Sequence, residues 1–214
     1  MDSVHGDRFA AGPPAGTVRT AERPELLPLK ILIAGGFGVG KTTLVGALSE
    51  VPPLSTEQQM TSLSDGVDDT SIVPDKTTTT VAMDFGRVTV DDALVLYLFG
   101  TPGQSRFWFM WDELIRGALG ALVLVDTRRV EDSFAAIDFF ENRELPYLVA
   151  VNTFEDAPRY DTDEVREALA IPEHVPLVFC DARLRESVRH VLVVVVQQAI
   201  QQLRAQQRHV NALG

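Results

Sequence analysis

The sequence predicts an α/β fold in which a doubly wound, mostly parallel sheet of six strands carries helices on both faces. Three observations lead to this prediction. Short apolar runs rich in β-branched residues alternate with segments of helical length across residues 29–208. Glycine-rich or polar loops follow the apolar runs. Two runs, residues 81–90 and 94–99, flank the turn Asp91-Asp92, which predicts one antiparallel edge strand.

The chain begins with a tail, a strand, a loop and a helix. Residues 1–28 lack periodicity and are rich in Gly, Pro and Ala, which predicts a disordered tail. Residues 29–34 are typical of a buried strand, and residues 43–49 of a helix. The loop between them fits G-x-x-x-x-G-K-[ST], the phosphate-binding pattern of nucleoside triphosphatases. It consists of Gly35, Gly36, Phe37, Gly38, Val39, Gly40, Lys41, Thr42 and Thr43, here called the phosphate loop.

The phosphate loop has the chemistry that its ligand requires. Glycines let several backbone N–H groups face a phosphate, and the helix N-terminus adds a partial positive charge. Lys41 would contribute a full charge to the β- and γ-phosphates, and the Thr42 hydroxyl would ligate magnesium. The alternative is a glycine-rich turn with a chance lysine, which the flanking strand and helix disfavour.

A long polar segment follows the first helix. Residues 51–79 predict a loop, and a loop of this length in a compact domain is usually functional or disordered. Its position suggests a nucleotide-sensing segment. The threonines at 77–80 end it, either as a polar turn that caps strands or with Thr80 as a ligand contact; the spacing of Thr80 to Asp84-Phe85 favours the second.

Residues 100–104, Gly-Thr-Pro-Gly-Gln, end the strand at 94–99 in a loop. The helical segment at 105–116 then carries five large side chains in succession from Phe107 to Trp111. They cannot all face one side of a helix, so core packing and a partner surface both stay open for this run.

The rest of the chain alternates regularly. Strands are predicted at residues 120–126, 146–152 and 176–180, and helices at 131–144, 163–170 and 184–208. Residues 193–196 are four valines with strong β propensity, but their Gln- and Ala-rich flanks favour a helix. Ligands of doubly wound sheets bind at the carboxyl ends of the strands, so the loops at 101–104, 152–156 and 181–183 should converge on the phosphate loop.

The composition is that of a soluble globular protein with a substantial core: 214 residues, 45% hydrophobic and 23% charged. A net charge of -11 argues against broad binding to nucleic acid or anionic membranes. The single cysteine, Cys180, excludes an intrachain disulfide and is expected to be a small buried side chain. The four histidines show no metal-ligand spacing. No signal peptide or membrane-spanning run is visible, so we expect a cytoplasmic protein whose membrane contact would come through a partner.

In this order the segments resemble the Ras-like small GTPases across about residues 29–205. The resemblance implies the P-loop fold of that superfamily, with GTP or GDP as ligand and Mg²⁺ as cofactor. It implies that Thr80 closes over magnesium and the γ-phosphate. Residues 100–104 resemble the D-x-x-G-Q element, in which Gly103 would donate its N–H to the γ-phosphate and Gln104 would orient the attacking water.

Two further segments, here called the base loops, stand where that family reads its base. Residues 152–155 occupy the place of N-K-x-D, and residues 181–183 the place of S-A-K. The resemblance implies that the Ala182 N–H contacts the guanine oxygen; for Asn152, a plain turn residue at a strand end is the alternative. The implied contacts are Asn152, Thr153, Glu155, Asp181, Ala182 and Arg183.

A narrower resemblance rests on three runs: residues 77–87, residues 99–104 and Val-Asn-Thr-Phe at 151–154. They are similar to the actinobacterial conservon GTPases, relatives of the bacterial gliding-polarity GTPases. This resemblance implies a signalling switch that works with a roadblock-domain protein and a sensor histidine kinase-like protein.

The sequence departs from the family pattern at functional places. Gly100 replaces the aspartate that holds magnesium through water, so magnesium should rest on Thr42, Thr80, phosphate oxygens and water, and magnesium dependence should weaken. Glu155 is one methylene longer than the base-reading aspartate, and Asp156 comes one residue late. Losing one such charged hydrogen bond would reduce guanine selectivity about tenfold or more.

The leading interpretation is a small GTP-binding switch that slowly hydrolyses GTP to GDP and phosphate, with Gln104, Lys41 and Thr80 as catalytic residues. Arg87 and Arg106 are the candidates in the chain for a charge-neutralising arginine. One alternative is a non-hydrolysing, nucleotide-bound assembly platform in a sensor-kinase and roadblock complex. Another is an ATP-using kinase or ATPase of the same loop class, although the sequence shows no lid-like arginine cluster.

Overall fold

The computed structural model of the chain describes residues 26–52, 58–61, 78–81, 83–103, 105–155 and 157–213. The strands are β1 (Leu27–Ala34), β2 (Gln58–Thr61), β3 (Thr78–Val81), β4 (Phe85–Thr89), β5 (Leu94–Gly100), β6 (Ala118–Val125), β7 (Tyr147–Asn152) and β8 (Leu177–Cys180). The α-helices are α1 (Lys41–Leu48), α2 (Trp111–Leu114), α3 (Phe134–Asn142), α4 (Thr162–Leu169) and α5 (Arg185–Leu213). The 3₁₀ helices Ser105–Met110 and Val130–Ser133 precede α2 and α3.

Six strands form one sheet in the order β4-β5-β1-β6-β7-β8. Strand β4 pairs antiparallel with β5, and all the other neighbours in this sheet are parallel. The predicted doubly wound, mostly parallel sheet with one antiparallel edge strand is therefore confirmed. The carboxyl ends of the parallel strands lie together at one edge, which brings the loops after β1, β5, β7 and β8 to one place.

The core lies on both faces of this sheet because side chains alternate along each strand. On one face, Ile31 and Ile33 of β1 pack with Leu44 of α1 and Val188 of α5. On the other face, Leu32 packs in a cluster with residues of the remaining helices; these include Trp111, Ile137, Phe140, Val165 and Leu169. The valine run at 193–196 lies in α5, so the predicted helix is confirmed over the predicted strand.

The segment predicted as a loop at 51–79 is partly strand. Strands β2 and β3 form a separate antiparallel pair in which Gln59 lies opposite Thr80. The strand predicted at 81–90 is accordingly wrong at its start, because Val81 ends β3 and the sheet strand begins only at Phe85. Both errors arise in a polar, threonine-rich stretch that lacks the apolar alternation of a sheet strand.

The ends of the domain also differ from the predicted ends. Strand β1 begins at Leu27, two residues before the predicted start at 29, and α5 continues to Leu213, beyond the predicted helix end at 208. The disordered tail predicted at 1–28 otherwise lies outside the described residues. Among the described residues, no helix has the length and apolar character that crossing a membrane requires.

The aromatic run after β5 divides between core and surface. Met110 and Trp111 are buried, and Trp111 stacks on Phe140 at 6.0 Å between ring centroids. Trp108 and Phe109 remain exposed, at 43% and 42%. Core packing is thus confirmed for part of this run, because a tight 3₁₀ turn points successive side chains to different sides. A partner surface at the exposed residues stays a prediction.

Candidate functional site

Backbone geometry builds the phosphate loop. Gly35 and Gly40 have φ angles of 136° and 107°, values that side chains other than hydrogen rarely permit. Space is also limiting, since a Cβ at Gly35 would lie 2.3 Å from the carbonyl oxygen of Leu124. The predicted strand–loop–helix context is confirmed, and α1 begins at Lys41.

Lys41 lies folded into this loop. Its side chain is only 9% exposed, and its Nζ donates hydrogen bonds to the carbonyl oxygens of Gly35 (2.9 Å) and Gly36 (2.8 Å). Burial lowers the pKa of Lys41 to about 8, although the nearby Asp84 carboxylate opposes the shift. A phosphate anion in the loop would favour the charged form again.

Thr42 is engaged by a residue that the sequence did not single out. Its Oγ1 donates a hydrogen bond of 2.8 Å to Oδ2 of Asp84, just before β4. Asp84 also covers Gly100, because a Cβ at Gly100 would lie 2.8 Å from the Cβ of Asp84. The sequence predicted this hairpin, but the predicted turn at Asp91-Asp92 would place Asp84 opposite Phe99; the observed register places it beside Gly100.

The loop after β5 lies against the phosphate loop. A Cβ at Gly103 would lie 2.8 Å from Nζ of Lys41 and 3.0 Å from the backbone nitrogen of Phe37. Thr101 is 2% exposed, and its Oγ1 has no hydrogen-bond partner in the described part of the chain. The close approach of this loop to the phosphate loop therefore requires glycine at position 103. The buried Thr101 hydroxyl, beside the phosphate loop, can bind a ligand atom.

The side chain of Asn152, at the end of β7, links the phosphate loop to the loop after β8 through hydrogen bonds. Its Nδ2 donates to the carbonyl oxygen of Val39 (2.9 Å), and its Oδ1 accepts from the backbone N–H of Ala182 (3.0 Å). The side chain is 5% exposed, so it is more than a turn residue at a strand end. In this structure the Ala182 N–H, predicted to contact a base oxygen, donates to Asn152 instead.

Charged side chains of the base loops pair with one another. Arg183 donates to Oδ1 and Oδ2 of Asp181 (3.0 and 2.8 Å) and to Oε1 of Glu155 (3.2 Å). This guanidinium lowers the pKa of Asp181. Thr153, in place of the family's lysine, donates its hydroxyl to the carbonyl oxygen of Cys180. The predicted residues are therefore brought together, with Glu155 held by Arg183.

Two arginines after β6 were missed by the sequence analysis. Arg128 pairs with the buried Asp126 and stacks on Phe154, its guanidinium carbon 4.1 Å from the ring centroid. Arg129 donates to the carbonyl oxygen of Phe37 in the phosphate loop at 2.9 Å. The signal was an Asp-Thr-Arg-Arg run directly after a predicted strand, at the edge where ligands bind.

These parts enclose one groove. A cavity of about 390 Å³ lies over the phosphate loop, Asp84 and residues 100–103. A second, of about 290 Å³, lies between Arg128 and the base loops. Both are lined by Gly38, Gly40 and Thr43, so the two cavities adjoin, and together they are comparable in size to small-molecule sites. A larger cavity of about 520 Å³ beside Tyr147 lies at the opposite end of the strands, away from these groups.

Several predicted residues cannot be placed in this groove. Gln104 and Asp156 lie outside the described residues, as do the side chains of Arg106 and Thr80, although the backbone of Thr80 lies in β3. Arg87 is wrong as a candidate for neutralising phosphate charge. It pairs with Glu50 at 3.0 Å, just beyond the carboxyl end of α1, whereas the phosphate loop adjoins the other end.

A family model for conserved hypothetical ATP-binding proteins matches residues 33–202, which is most of the chain and includes the whole groove. The chain belongs to this family. The match begins within β1 and ends within α5, so the phosphate loop, the base loops and the sheet between them are all covered by it.

Two relatives extend this finding. An uncharacterized protein of Methanocaldococcus jannaschii, MJ1339, is 32% identical over 139 residues, which covers 64% of this chain and 77% of the relative. The Ras-related protein SEC4 of Saccharomyces cerevisiae is 26% identical over 172 residues, covering 76% of this chain and 71% of SEC4. The chain is thus also similar in sequence to a Ras-related protein.

Solved structures show the same fold. The G domain of the T. maritima FeoB iron transporter has a TM-score of 0.56 at 20% identity, over 81% of this chain and 99% of that one. The cytosolic domain of the same transporter in its GMPPNP form has a TM-score of 0.54 at 19% identity, over 81% of this chain and 64% of that one. The chain therefore has the P-loop fold of GTPase G domains.

The groove also has donors suited to magnesium. This cation prefers oxygen ligands and keeps several of its waters, so one or two protein groups beside phosphate oxygens hold it. Thr42 and Asp84 offer a hydroxyl and a carboxylate next to the phosphate loop, and the hydroxyl of Thr101 is buried without a partner among the described residues. The residues present fit the ion.

Proposed function

We propose that this protein is a small GTP-binding switch that binds GTP and GDP with magnesium and hydrolyses GTP slowly. The observation that carries the proposal is the buried Lys41, whose Nζ is held at the carbonyl oxygens of Gly35 and Gly36 inside a loop of left-handed glycines. A lysine buried in this way has desolvated its charge, and bound phosphate would compensate for that cost.

Phosphate binding would use the backbone of the phosphate loop and the charge of Lys41. Backbone N–H groups of a glycine-rich loop before a helix face an anion, and the helix dipole supports it. Thr42 and Thr80 are the proposed metal ligands. Bound magnesium would neutralise charge on the phosphate oxygens. Gly103 already lies at Nζ of Lys41, so an added γ-phosphate would change the contacts of this loop directly.

Hydrolysis would proceed by attack of water on the γ-phosphorus. Gln104 is the proposed residue that orients this water, because it follows Gly103 in the loop after β5. Positioning and charge stabilisation would supply the catalysis, with little covalent work by the protein. Arg129 contacts the phosphate loop but is also paired with Asp132 at 3.6 Å, so basal activity should be low.

Base binding would take place between Arg128, Phe154 and the base loops. Two observations favour different bases: SEC4 is named as Ras-related and FeoB was solved in a GMPPNP form, whereas the family is described as ATP-binding. Glu155 is the in-register carboxylate for guanine, but Arg183 holds it. We propose guanine, with Glu155 released from Arg183 when the base enters.

The deciding experiment is a competition titration on the full chain. Fluorescent GDP is displaced by GTP, GDP or ATP, with magnesium and with chelator. Guanine nucleotides should compete at least about a hundredfold better than ATP, which corresponds to about 2.7 kcal/mol. Equal competition by ATP would contradict the guanine assignment and support an ATP-using protein.

A second experiment separates the switch from a non-hydrolysing platform. By the narrower resemblance, we propose a roadblock-domain protein and a sensor histidine kinase-like protein as partners. Multiple-turnover phosphate release from GTP is measured alone and with a roadblock partner. Slow release supports the switch, and an arginine contributed by a partner could accelerate it about 10³–10⁵-fold. No release in either case would leave the platform as the function.

A further inference from the structure

The carboxylate of Asp84 lies beside position 100, where the pattern D-x-x-G-Q has an aspartate. The aspartate of D-x-x-G-Q is replaced here by Gly100 at the end of β5. We propose that Asp84 supplies the carboxylate of the magnesium site that Gly100 lacks, from the neighbouring strand edge. This inference rests on the proposed function, and it assigns a metal-site role to a residue for which the resemblance implies none.

The two positions are direct neighbours across the hairpin. The backbone N–H of Gly100 donates to the carbonyl oxygen of Asp84 at 2.8 Å, and Phe85 and Phe99 form the adjacent cross-strand pair. A Cβ at Gly100 would lie 2.8 Å from Cβ and 3.0 Å from Oδ2 of Asp84. The Asp84 side chain therefore fills the space that a side chain at position 100 would need.

Backbone conformation gives no other reason for glycine at position 100. In the described part of the chain, glycines with positive φ are Gly35, Gly38, Gly40 and Gly117, and Gly100 is not one of them. Glycine is therefore required at 100 because of the space that Asp84 occupies. Gly100 and Asp84 are complementary in volume, because the Asp84 side chain occupies the space that a side chain at position 100 would fill.

The contacts of Asp84 match the task of a magnesium-site carboxylate. A hydroxyl has one hydrogen to donate and lone pairs with which it can bind a cation. Thr42 donates its hydrogen to Oδ2 of Asp84, which leaves the lone pairs of its oxygen for a metal. Asp84 also acts electrostatically on Lys41 and lines the same cavity as the Thr101 hydroxyl, which has no hydrogen-bond partner among the described residues.

Asp84 is thus a positioning residue for Thr42 and an acceptor for water on the ion. The absence of aspartate at position 100 alone predicts weakened magnesium dependence. With Asp84 beside the site, we expect magnesium to slow nucleotide release as strongly as it would in a G domain that has the aspartate of D-x-x-G-Q. The effect of chelation on nucleotide release distinguishes the two expectations without any measurement of hydrolysis.

The test is the rate at which the full chain releases fluorescent GDP, measured in magnesium and in chelator. For the wild type, chelation should accelerate release about tenfold or more. For Asp84→Asn, release in magnesium should rise about tenfold, and chelation should add little. Asp92→Asn removes an equal charge at the far turn of the same hairpin and should behave as the wild type.

An exchange of the two residues tests the complementarity itself. Gly100→Asp alone places two carboxylates in one space and should lower the melting temperature. Asp84→Gly combined with Gly100→Asp returns the carboxylate to β5 and should restore the effect of chelation to within about threefold of the wild type. Circular dichroism reports whether each variant is folded.

The outcomes separate this inference from the proposed function. If the wild type binds no fluorescent GDP, the proposed function fails and the inference fails with it. If the wild type releases nucleotide on chelation and folded Asp84→Asn does so equally, the inference is wrong and the proposed function stands. If Asp84→Asn does not fold, the exchange variant decides: restored chelator sensitivity supports the inference, and its loss in a folded protein overturns it.

Discussion

The phosphate loop and the base loops lie side by side in one groove, yet different interactions determine their conformations. Left-handed glycines and a lysine that is 9% exposed make the phosphate loop. Side chains that remain open to solvent make much of the base loops, where Arg183 and Glu155 are 58% and 82% exposed. The first is fixed by backbone sterics and burial, and the second depends on side chains that can exchange partners.

This difference explains which part of the site keeps the family pattern. A side chain added to the phosphate loop collides with backbone atoms, so the sequence there has little freedom. A base loop can retain a charged pair in another arrangement, and here an arginine holds the acid that would read the base. Substitutions in the phosphate loop should therefore have large effects, and those in the base loops smaller, nucleotide-specific ones.

The largest effect on folding should come from Gly35→Ala. Its φ of 136° and a Cβ at 2.3 Å from the Leu124 oxygen combine strain with collision, so we expect the free energy of unfolding to fall by about 3 kcal/mol. Gly117→Ala is the control, because φ is 70° but nothing lies within 4 Å; it should cost only about 1 kcal/mol. Urea unfolding measures both. Equal losses would show that collision does not constrain the loop.

The largest effect on binding should come from Lys41→Ala. Loss of a buried charge that bonds phosphate should weaken nucleotide binding about a hundredfold. Lys30→Ala removes the same charge near the start of β1, where Lys30 donates to the carbonyl oxygen of Arg116, and should bind normally. Displacement of fluorescent GDP gives both affinities. Normal binding by folded Lys41→Ala would refute the phosphate site.

A pH dependence should sharpen the comparison, since Lys41 is a buried cation. Its pKa of about 8 in the free protein means that it is charged below pH 8 and neutral above. Bound phosphate favours the charged form, so binding above pH 8 must take up a proton and affinity falls as pH rises. Between pH 7 and pH 9 we expect about a tenfold loss. Lys41→Arg is the control, because arginine stays charged over this range and any remaining pH dependence comes from titration of the nucleotide. The roughly tenfold loss of affinity should disappear in that variant.

The sequence predicted the six-stranded sheet because the buried strands are apolar runs bounded by clear turns. It did not predict the pair β2 and β3, whose residues Gln-Gln-Met-Thr and Thr-Thr-Thr-Val carry little apolar alternation. Such strands pair through their backbones, and composition gives only a weak signal for that. The predicted helix at 105–116 likewise became a 3₁₀ turn and a four-residue helix.

For the site, the residues that could be predicted are those that lie next to one another in the sequence. The phosphate loop is one run with the glycine spacing that its geometry demands, so its residues were recognisable together. Asp84 and Gly100 are separated in sequence and meet only through the register of β4 and β5. Arg128 stacks on Phe154 through the fold alone. Such juxtapositions follow from strand pairing, and a linear pattern does not contain them.

The smallest and most selective effect should come from Arg183→Ala. Arg183 holds Glu155, and both side chains are exposed, so the pair is weak. If Glu155 reads guanine, it must first leave Arg183, and removing the arginine should raise GDP affinity about twofold to fivefold while ATP affinity stays the same. Glu155→Gln in the same background should abolish the gain. An equal change for GDP and ATP would mean that Arg183 acts on the phosphates or the fold, and that Glu155 does not discriminate the base.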